Sequence, residues 1–234
     1  MDFLKTVANK YDIDITDKQL DQFNKYYEML IETNKVMNLT AITEKDEVII
    51  KHFLDSIILL KYIDISNAKI IDIGTGAGFP GIPLKIMVPS IKLTLLDSLN
   101  KRLKFLDSVC ETLSFDNVEL VHGRAEDIGR KPEHREQYDY AVSRAVANMS
   151  TLLEYSLPFV KVKGCFISYK SVNIKDELHA AKKAVDILGG KVRDCIELDF
   201  DEFELNRNLV LIDKIKPISK KYPRKAGTPS KEPL

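Results

Sequence analysis

Asp72, Gly74, Gly76, Gly78 and Asp97 are the residues whose types and spacing could do chemistry in this chain. Four glycines, Gly74, Gly76, Gly78 and Gly81, fall within eight residues directly after the β-branched run Ile70-Ile71-Asp72-Ile73. An apolar segment, Ile82 to Val88, follows, so the pattern reads as strand, tight loop and helix. Glycine lacks a Cβ and tolerates positive φ, so such a loop turns sharply and brings its backbone N–H groups close to a ligand. Pro80 suits the first turn of the helix, whose free N–H groups favour a polar or anionic group nearby. Together these residues make a cradle for a nucleotide.

The loop can be read in two registers. Gly76-Ala77-Gly78-Phe79-Pro80-Gly81 fits G-x-G-x-x-G, with Asp97 21 residues after Gly76, where a dinucleotide fold sets an acid against a ribose hydroxyl. In the other register Asp72 precedes Gly74-x-Gly76-x-Gly78, which resembles motif I of the S-adenosylmethionine-dependent methyltransferases. There an acid precedes a G-x-G-x-G loop and a second acid ends the next strand. A carboxylate near the cofactor suits one that carries a sulfonium and an ammonium group. A glycine loop that merely turns the chain is the bland third reading.

These residues need a scaffold, and from Ala68 onward strand and helix patterns alternate, as in a mostly parallel sheet covered on both faces. Strands are expected at Lys69 to Ile73, Lys92 to Asp97, Val118 to His122, Tyr138 to Val142 and Cys165 to Lys170. Helices are expected between them. One is capped by Ser98 and runs through Leu99, Leu103, Leu106, Cys110 and Leu113. Another passes Leu152, Leu153 and Leu157, and a third passes Ile174, Leu178, Ala181, Val185 and Leu188 to stop at Gly189-Gly190. Val192 to Phe200 and Asn208 to Ile215 have no helix between them and are expected to pair as an antiparallel edge. Seven strands ending this way resemble the Rossmann-like class I methyltransferase sheet, mostly parallel with an antiparallel last strand.

Upstream, Thr16-Asp17 caps an amphipathic helix with Leu20, Phe23, Tyr27, Leu30 and Ile31, and a second helix runs through Val48, Ile49, Phe53, Ile57 and Leu60. Asn34 to Ile42 reads as a connector, because its Asn and Thr side chains favour local bonds to backbone. His52 and Asp55 lie near one face of the second helix with no chemistry assigned. The predicted organisation is a helical extension over 1–65, a ligand-binding α/β domain over 66–215 and a basic tail over 216–234.

Composition bounds the rest. A chain of 234 residues, 44% hydrophobic, holds one α/β domain and a small extension, with no room for the separate substrate domain of a dinucleotide enzyme. Its 35 basic and 35 acidic residues cancel, so any nucleic-acid affinity must come from local asymmetry. That asymmetry lies in the tail, where Lys214, Lys216, Lys220, Lys221, Arg224, Lys225 and Lys231 face only Asp213 and Glu232, among four prolines and one glycine. Such a segment is either a solvated tail or an arm that grips RNA, with Lys220, Lys221, Arg224 and Lys225 on phosphates and Tyr222 stacked on a base. Cys110, Cys165 and Cys195 lack disulfide or zinc spacing, so no metal site is expected. The opening Met1-Asp2-Phe3-Leu4-Lys5 is no signal peptide, and no apolar run approaches the roughly 18 residues of a membrane span. A cytoplasmic, monomeric protein is expected.

Ligands of an open α/β sheet sit outside the carboxyl ends of its strands. The polar positions there are the Gly74 to Gly78 loop, Asp97, Ala125 with Glu126, and Arg144. Asp97 can accept two ribose hydroxyls or cap the next helix. Ala125 lets an adenine lie flat or is merely small, and Glu126 binds or sits in an acidic turn. Arg144 pairs with Asp72 or Asp97, or faces an acidic or phosphorylated substrate. No [DNS]-P-P-[YF] stretch follows the fourth strand, and no cysteine lies in a loop after a strand, so exocyclic amines and pyrimidine carbons are poor acceptors. Guanine N7 suits the site, since its lone pair attacks without loss of a proton and catalysis reduces to placement.

Asn38-Leu39-Thr40-Ala41-Ile42, His52-Phe53-Leu54-Asp55-Ser56, Asp72 to Gly81, His122-Gly123-Arg124-Ala125-Glu126, Ser143-Arg144-Ala145 and Tyr222 to Pro229 together resemble the bacterial RsmG, or GidB, family over nearly the whole chain. That family methylates N7 of a guanine in the decoding region of 16S ribosomal RNA, within the small subunit. The resemblance implies that Gly74, Phe79, Ala125, Glu126 and Arg144 bind S-adenosylmethionine. It also implies that Lys170 and the Tyr222 to Pro229 segment face the active site or RNA. No side chain is expected to act on a proton, and Arg144 and Lys170 are the candidate active-site residues. Two rivals are an NAD-dependent oxidoreductase using the Gly76 to Gly81 register, and a cofactor-binding sensor that docks to ribosomes through its tail.

Overall fold

Period-two alternation of β-branched and aliphatic residues places successive side chains of each strand on opposite faces of one sheet, and two sets of helices cover those faces. The computed structural model describes residues 1–144, 147–171, 174–200, 203 and 205–234. Its strands are β1 (Lys69–Ile73), β2 (Lys92–Asp97), β3 (Val118–His122), β4 (Tyr138–Arg144), β5 (Val160–Lys170), β6 (Gly190–Phe200) and β7 (Leu205–Lys214), in the order β3-β2-β1-β4-β5-β7-β6. The first five are parallel, and β7 lies antiparallel between β5 and β6. This is the seven-stranded sheet that the sequence pattern predicts.

The helices are α1 (Asp2–Asn9), α2 (Asp17–Met37), α3 (Lys45–Val48), α4 (Asp55–Ile57), α5 (Gly81–Met87), α6 (Asn100–Thr112), α7 (Ala125–Ile128), α8 (Met149–Ser156), α9 (Ile174–Ala180), α10 (Lys182–Ile187) and α11 (Thr228–Lys231). Ile70, Leu93, Leu95, Val142 and Ile167 pack on one face against α1, α2, the 45–61 helical stretch, α5 and α6. Ile71, Ile73, Leu96, Ala141 and Phe166 pack on the other against α8, α10 and the tail residues Ile218 and Tyr222. The amino-terminal helices therefore share a core with the sheet.

Several boundaries differ from expectation. The helix after β2 starts at Asn100 without a side-chain cap, because Leu99 and not Ser98 occupies its N-cap position; Asp97 Oδ1 accepts the Leu99 N–H (2.8 Å). α2 runs through Met37, into the first part of the expected connector, and stops where Asn38 turns left-handed (φ 49°). Its Asn34 then bonds the Thr40 backbone in both directions, each at 2.9 Å, the local pairing expected of that segment. A wide π turn, Ile49–Leu54, joins α3 to α4 and carries His52. The helical stretch after Ile174 is split into α9 and α10 at Ala181.

Candidate functional site

The glycine loop is built by two acids. Asp72, fully buried in β1, accepts the Thr75 hydroxyl (2.7 Å) and the Gly81 N–H (2.9 Å) on Oδ2. Its Oδ1 has no hydrogen-bond partner, and burial pushes the carboxyl up to about 6 against those two hydrogen bonds. Asp97, at the end of β2, accepts the Gly76 N–H on Oδ2 (2.9 Å) and pairs with Arg102 (3.3 Å). Gly78 has φ 103°, and a Cβ there would meet Ile82, Leu106 and the Tyr26 hydroxyl at 2.7–2.8 Å, so the loop closes only with glycine.

The amino-terminal helices support this loop from below. Tyr26 of α2 donates its hydroxyl to the Ala77 carbonyl (2.5 Å), and its ring packs against Phe53 and Phe79 at 5.7 and 5.5 Å. His52 stacks on Phe79, with ring centroids 4.5 Å apart and planes 18° from parallel. Burial, then the nearby Arg144 charge, lowers the His52 pKa to about 3, so it is a neutral imidazole. Arg144, at the end of β4, sits 5.0 Å over Phe79, donates to Asp55 Oδ2 (2.8 Å) and the Lys51 carbonyl (3.1 Å), and contacts His52 Nδ1 (3.1 Å). Asp55 Oδ1 accepts from Arg207 of β7 (3.0 Å).

Thus neither Asp72 nor Asp97 is the ion-pair partner of Arg144. Asp55 is, because the π turn carries it to the carboxyl edge of the sheet, between two arginines. The sequence left Asp55 and His52 unassigned; their only signal was membership of one short motif. Ala145 of the Ser143-Arg144-Ala145 motif lies outside the described residues. Lys170, at the end of β5, reaches the Ala147 carbonyl and Glu177, both at 2.7 Å.

At the same edge a cavity of about 280 Å³ is lined by Ile73, Gly74, Leu96, Asp97, Ser98, Gly123, Arg124, Ala125, Glu126, Tyr155, Gly227 and Ser230. Four predicted residues, Gly74, Asp97, Ala125 and Glu126, meet there. Phe79 and Arg144 form an adjacent cluster, joined to the cavity by the loop. Gly76, Gly78 and Asp72 shape the loop, and Lys170 stands apart from the lining. Tyr155 and Ser230 are lining residues that sequence reasoning missed, whereas Gly227 belongs to the Tyr222 to Pro229 segment that the family resemblance implied would face the active site or RNA.

The basic tail is folded against the body. Lys214 is buried, with its ammonium on the Leu157 carbonyl (2.8 Å) and Glu136 (3.0 Å). Tyr222 is 8% exposed, so it is no free stacking platform. Arg224 is committed to the fully buried Glu154 through contacts of 2.7, 3.0 and 3.1 Å, and is held there rather than open to RNA. Lys220, Lys221 and Lys225 remain exposed. Among the described residues no group of acids, histidines and cysteines could hold a metal ion, and no helix is long and apolar enough to cross a membrane.

A family model described as "GidB: rRNA small subunit methyltransferase G" matches residues 19–209. The protein of Alkaliphilus oremlandii named "Ribosomal RNA small subunit methyltransferase G" is 54% identical over 235 residues, covering 100% of this chain and 98% of its own length. Its namesake from Clostridium botulinum (strain Loch Maree) is 49% identical over 232 residues, covering 99% and 97%. Among solved structures, M. jannaschii TYW2 in complex with AdoMet matches with a TM-score of 0.57 at 15% identity, over 75% of this chain and 80% of that one. A SAM dependent methyltransferase from Aquifex aeolicus matches at 0.56 and 16%, over 74% and 94%. At such identities the two structures speak for the fold.

Proposed function

The chain belongs to the GidB family, the rRNA small subunit methyltransferase G proteins, and from that premise we propose that it transfers the methyl group of S-adenosylmethionine to N7 of one guanine in the decoding region of 16S ribosomal RNA. The observation that carries this reading onto the chain's own residues is the cavity joining Ile73, Leu96 and Ala125 to the carboxylates of Asp97 and Glu126. Apolar walls beside carboxylates suit a nucleoside, whose base lies flat on Ala125 while its ribose hydroxyls donate to Asp97. A Cβ on Gly76 would meet nothing nearer than 3.9 Å, which leaves that face of the loop open to a ligand. The residues present therefore fit the cofactor: Gly74, Asp97, Ala125 and Glu126 would hold its nucleoside, and the loop with Phe79 and Arg144 its other end. Asp72, Gly76 and Gly78 hold the loop in shape.

When bound, S-adenosylmethionine supplies a methyl group on a positively charged sulfur. N7 of guanine keeps no proton to remove, so the protein's task is alignment and exclusion of water. His52 agrees with that assignment: a neutral, stacked imidazole bonded to Thr40 (2.8 Å) steadies Phe79 and Arg144 and adds no positive charge beside them. Lys170 and Arg144 face the RNA side of the carboxyl edge, and the exposed Lys220, Lys221 and Lys225 contact phosphates. The base is splayed out of its stack to reach the site.

We further propose that the protein acts as a cytoplasmic monomer on the small subunit. Labelled S-adenosylmethionine offered with small subunits lacking the mark, with naked 16S RNA and with large subunits tests the assignment. Label in small subunits supports it. Label confined to large subunits, or absent from all three, overturns it.

A further inference from the structure

We propose that the carboxyl-terminal strap, residues 217–231, is a wall of the cofactor site, built to close over the nucleoside, and not primarily an RNA-gripping arm. The inference rests on the proposed binding of S-adenosylmethionine in the cavity. Gly227 and Ser230 line that cavity together with Asp97 and Ala125. The Gly227 N–H donates to Glu126 Oε1 (2.8 Å), so a carboxylate of the cavity itself ties the strap down. Gly227 has φ 83°, and nothing lies within 4 Å of where its Cβ would be, so the bend is left-handed and the space on that side is open.

The strap is seated by side chains that do not line the cavity. Arg135 donates to the carbonyls of Ile218 (3.1 Å), Ser219 (3.2 Å) and Tyr222 (2.8 Å), and Glu136 accepts the Ile218 N–H (2.9 Å). Glu154 of α8 accepts the Arg224 guanidinium and its backbone N–H (2.6 Å). Thr151 donates to the Pro229 carbonyl (3.0 Å), and Arg224 reaches the Glu232 carbonyl (2.8 Å). An arm meant only to meet RNA has no need of this many bonds to the body, because flexible chain contacts phosphates equally well. A wall needs them, since a ligand gains affinity from surfaces that are already in place.

The test is the affinity of full-length protein for S-adenosylhomocysteine by calorimetry, comparing wild type, Arg135→Gln and Asp97→Ala, with circular dichroism to confirm folding. Arg135→Gln touches no cavity residue, yet it is expected to weaken binding by about tenfold or more, which corresponds to about 1.4 kcal/mol. In a second measurement on the wild type, saturating S-adenosylhomocysteine is expected to slow trypsin cleavage after Lys225, which is exposed on the strap. If Asp97→Ala weakens binding while Arg135→Gln and the cleavage rate show no change, the strap is no wall and the inference falls alone. If Asp97→Ala is also without effect, the cavity reading falls with it. Should Arg135→Gln fail to fold, the cleavage rate decides.

Discussion

Replacing Arg224 by alanine leaves Glu154 buried at 0% exposure with its charge uncompensated. The pair is joined by three side-chain contacts of 2.7–3.1 Å, and the Arg224 side chain is itself only 19% exposed. Removing one partner of a buried ion pair destabilises by about 3–5 kcal/mol. The guanidinium's remaining access to water places the effect near the lower bound, about 3 kcal/mol. For a chain of this size each kcal/mol shifts Tm by roughly 2–4 °C, so the melting midpoint falls by about 6–12 °C. Arg224→Lys keeps the charge but not the fork that meets both carboxylate oxygens, and is expected to fall between. Thermal melts at pH 7, with urea titrations as a second probe, read the effect directly. A Tm within about 1–2 °C of wild type, the range of an ordinary surface substitution, refutes the reasoning and returns Arg224 to solvent and RNA.

Other perturbations address the cavity and the loop. Asp97→Ala removes the acceptor of the Gly76 N–H and, on our reading, of the ribose, and should weaken S-adenosylhomocysteine by about 1–3 kcal/mol; equal calorimetric affinities would remove Asp97 from the site. Phe79→Ala frees both His52 and Arg144 and is expected to lower kcat far more than it raises KM, which steady-state assays on small subunits would separate. Asp72 and His52 tilt stability in opposite directions with pH. The folded pKa of Asp72, about 6, lies above its unfolded value, so its contribution is full below about pH 4 and lost as pH rises through 6. That of His52, about 3, lies below its unfolded value, so its contribution is full above about pH 6.5 and lost as pH falls towards 3. Urea titrations from about pH 4 to 7 should show stability rising more steeply with pH in Asp72→Asn than in wild type, and less steeply in His52→Gln; parallel profiles contradict both.

The sheet was legible because its signals are local. β1, β2 and β3 fall where short runs rich in aliphatic residues end in acid or lead into glycine, and the last two strands had no helical period between them. Asp97 was legible for the same reason, as an acid closing a strand at a fixed distance from a glycine loop. What could not be read were contacts between segments far apart in sequence. Asp55 meets Arg144 across 89 positions, and Arg224 meets Glu154 across 70. A basic, proline-rich tail carries no period that distinguishes a strap from free chain, and contacts such as those of Arg135 and Glu154 to it show the difference. Ser98 looked like a cap because its type is right, but the helix begins one residue later, with Leu99 at its N-cap and the Leu99 N–H on Asp97.

The central claim is best tested by mapping the methyl group. Small subunits from cells lacking this gene would be treated with the purified protein and S-adenosylmethionine, and their 16S RNA cleaved chemically at N7-methylated guanines. The account predicts one new cleavage, at a guanine in the decoding region, absent when the cofactor is withheld. Methyl transfer that yields no cleavage at guanine, or cleavage only elsewhere in the RNA, would contradict it.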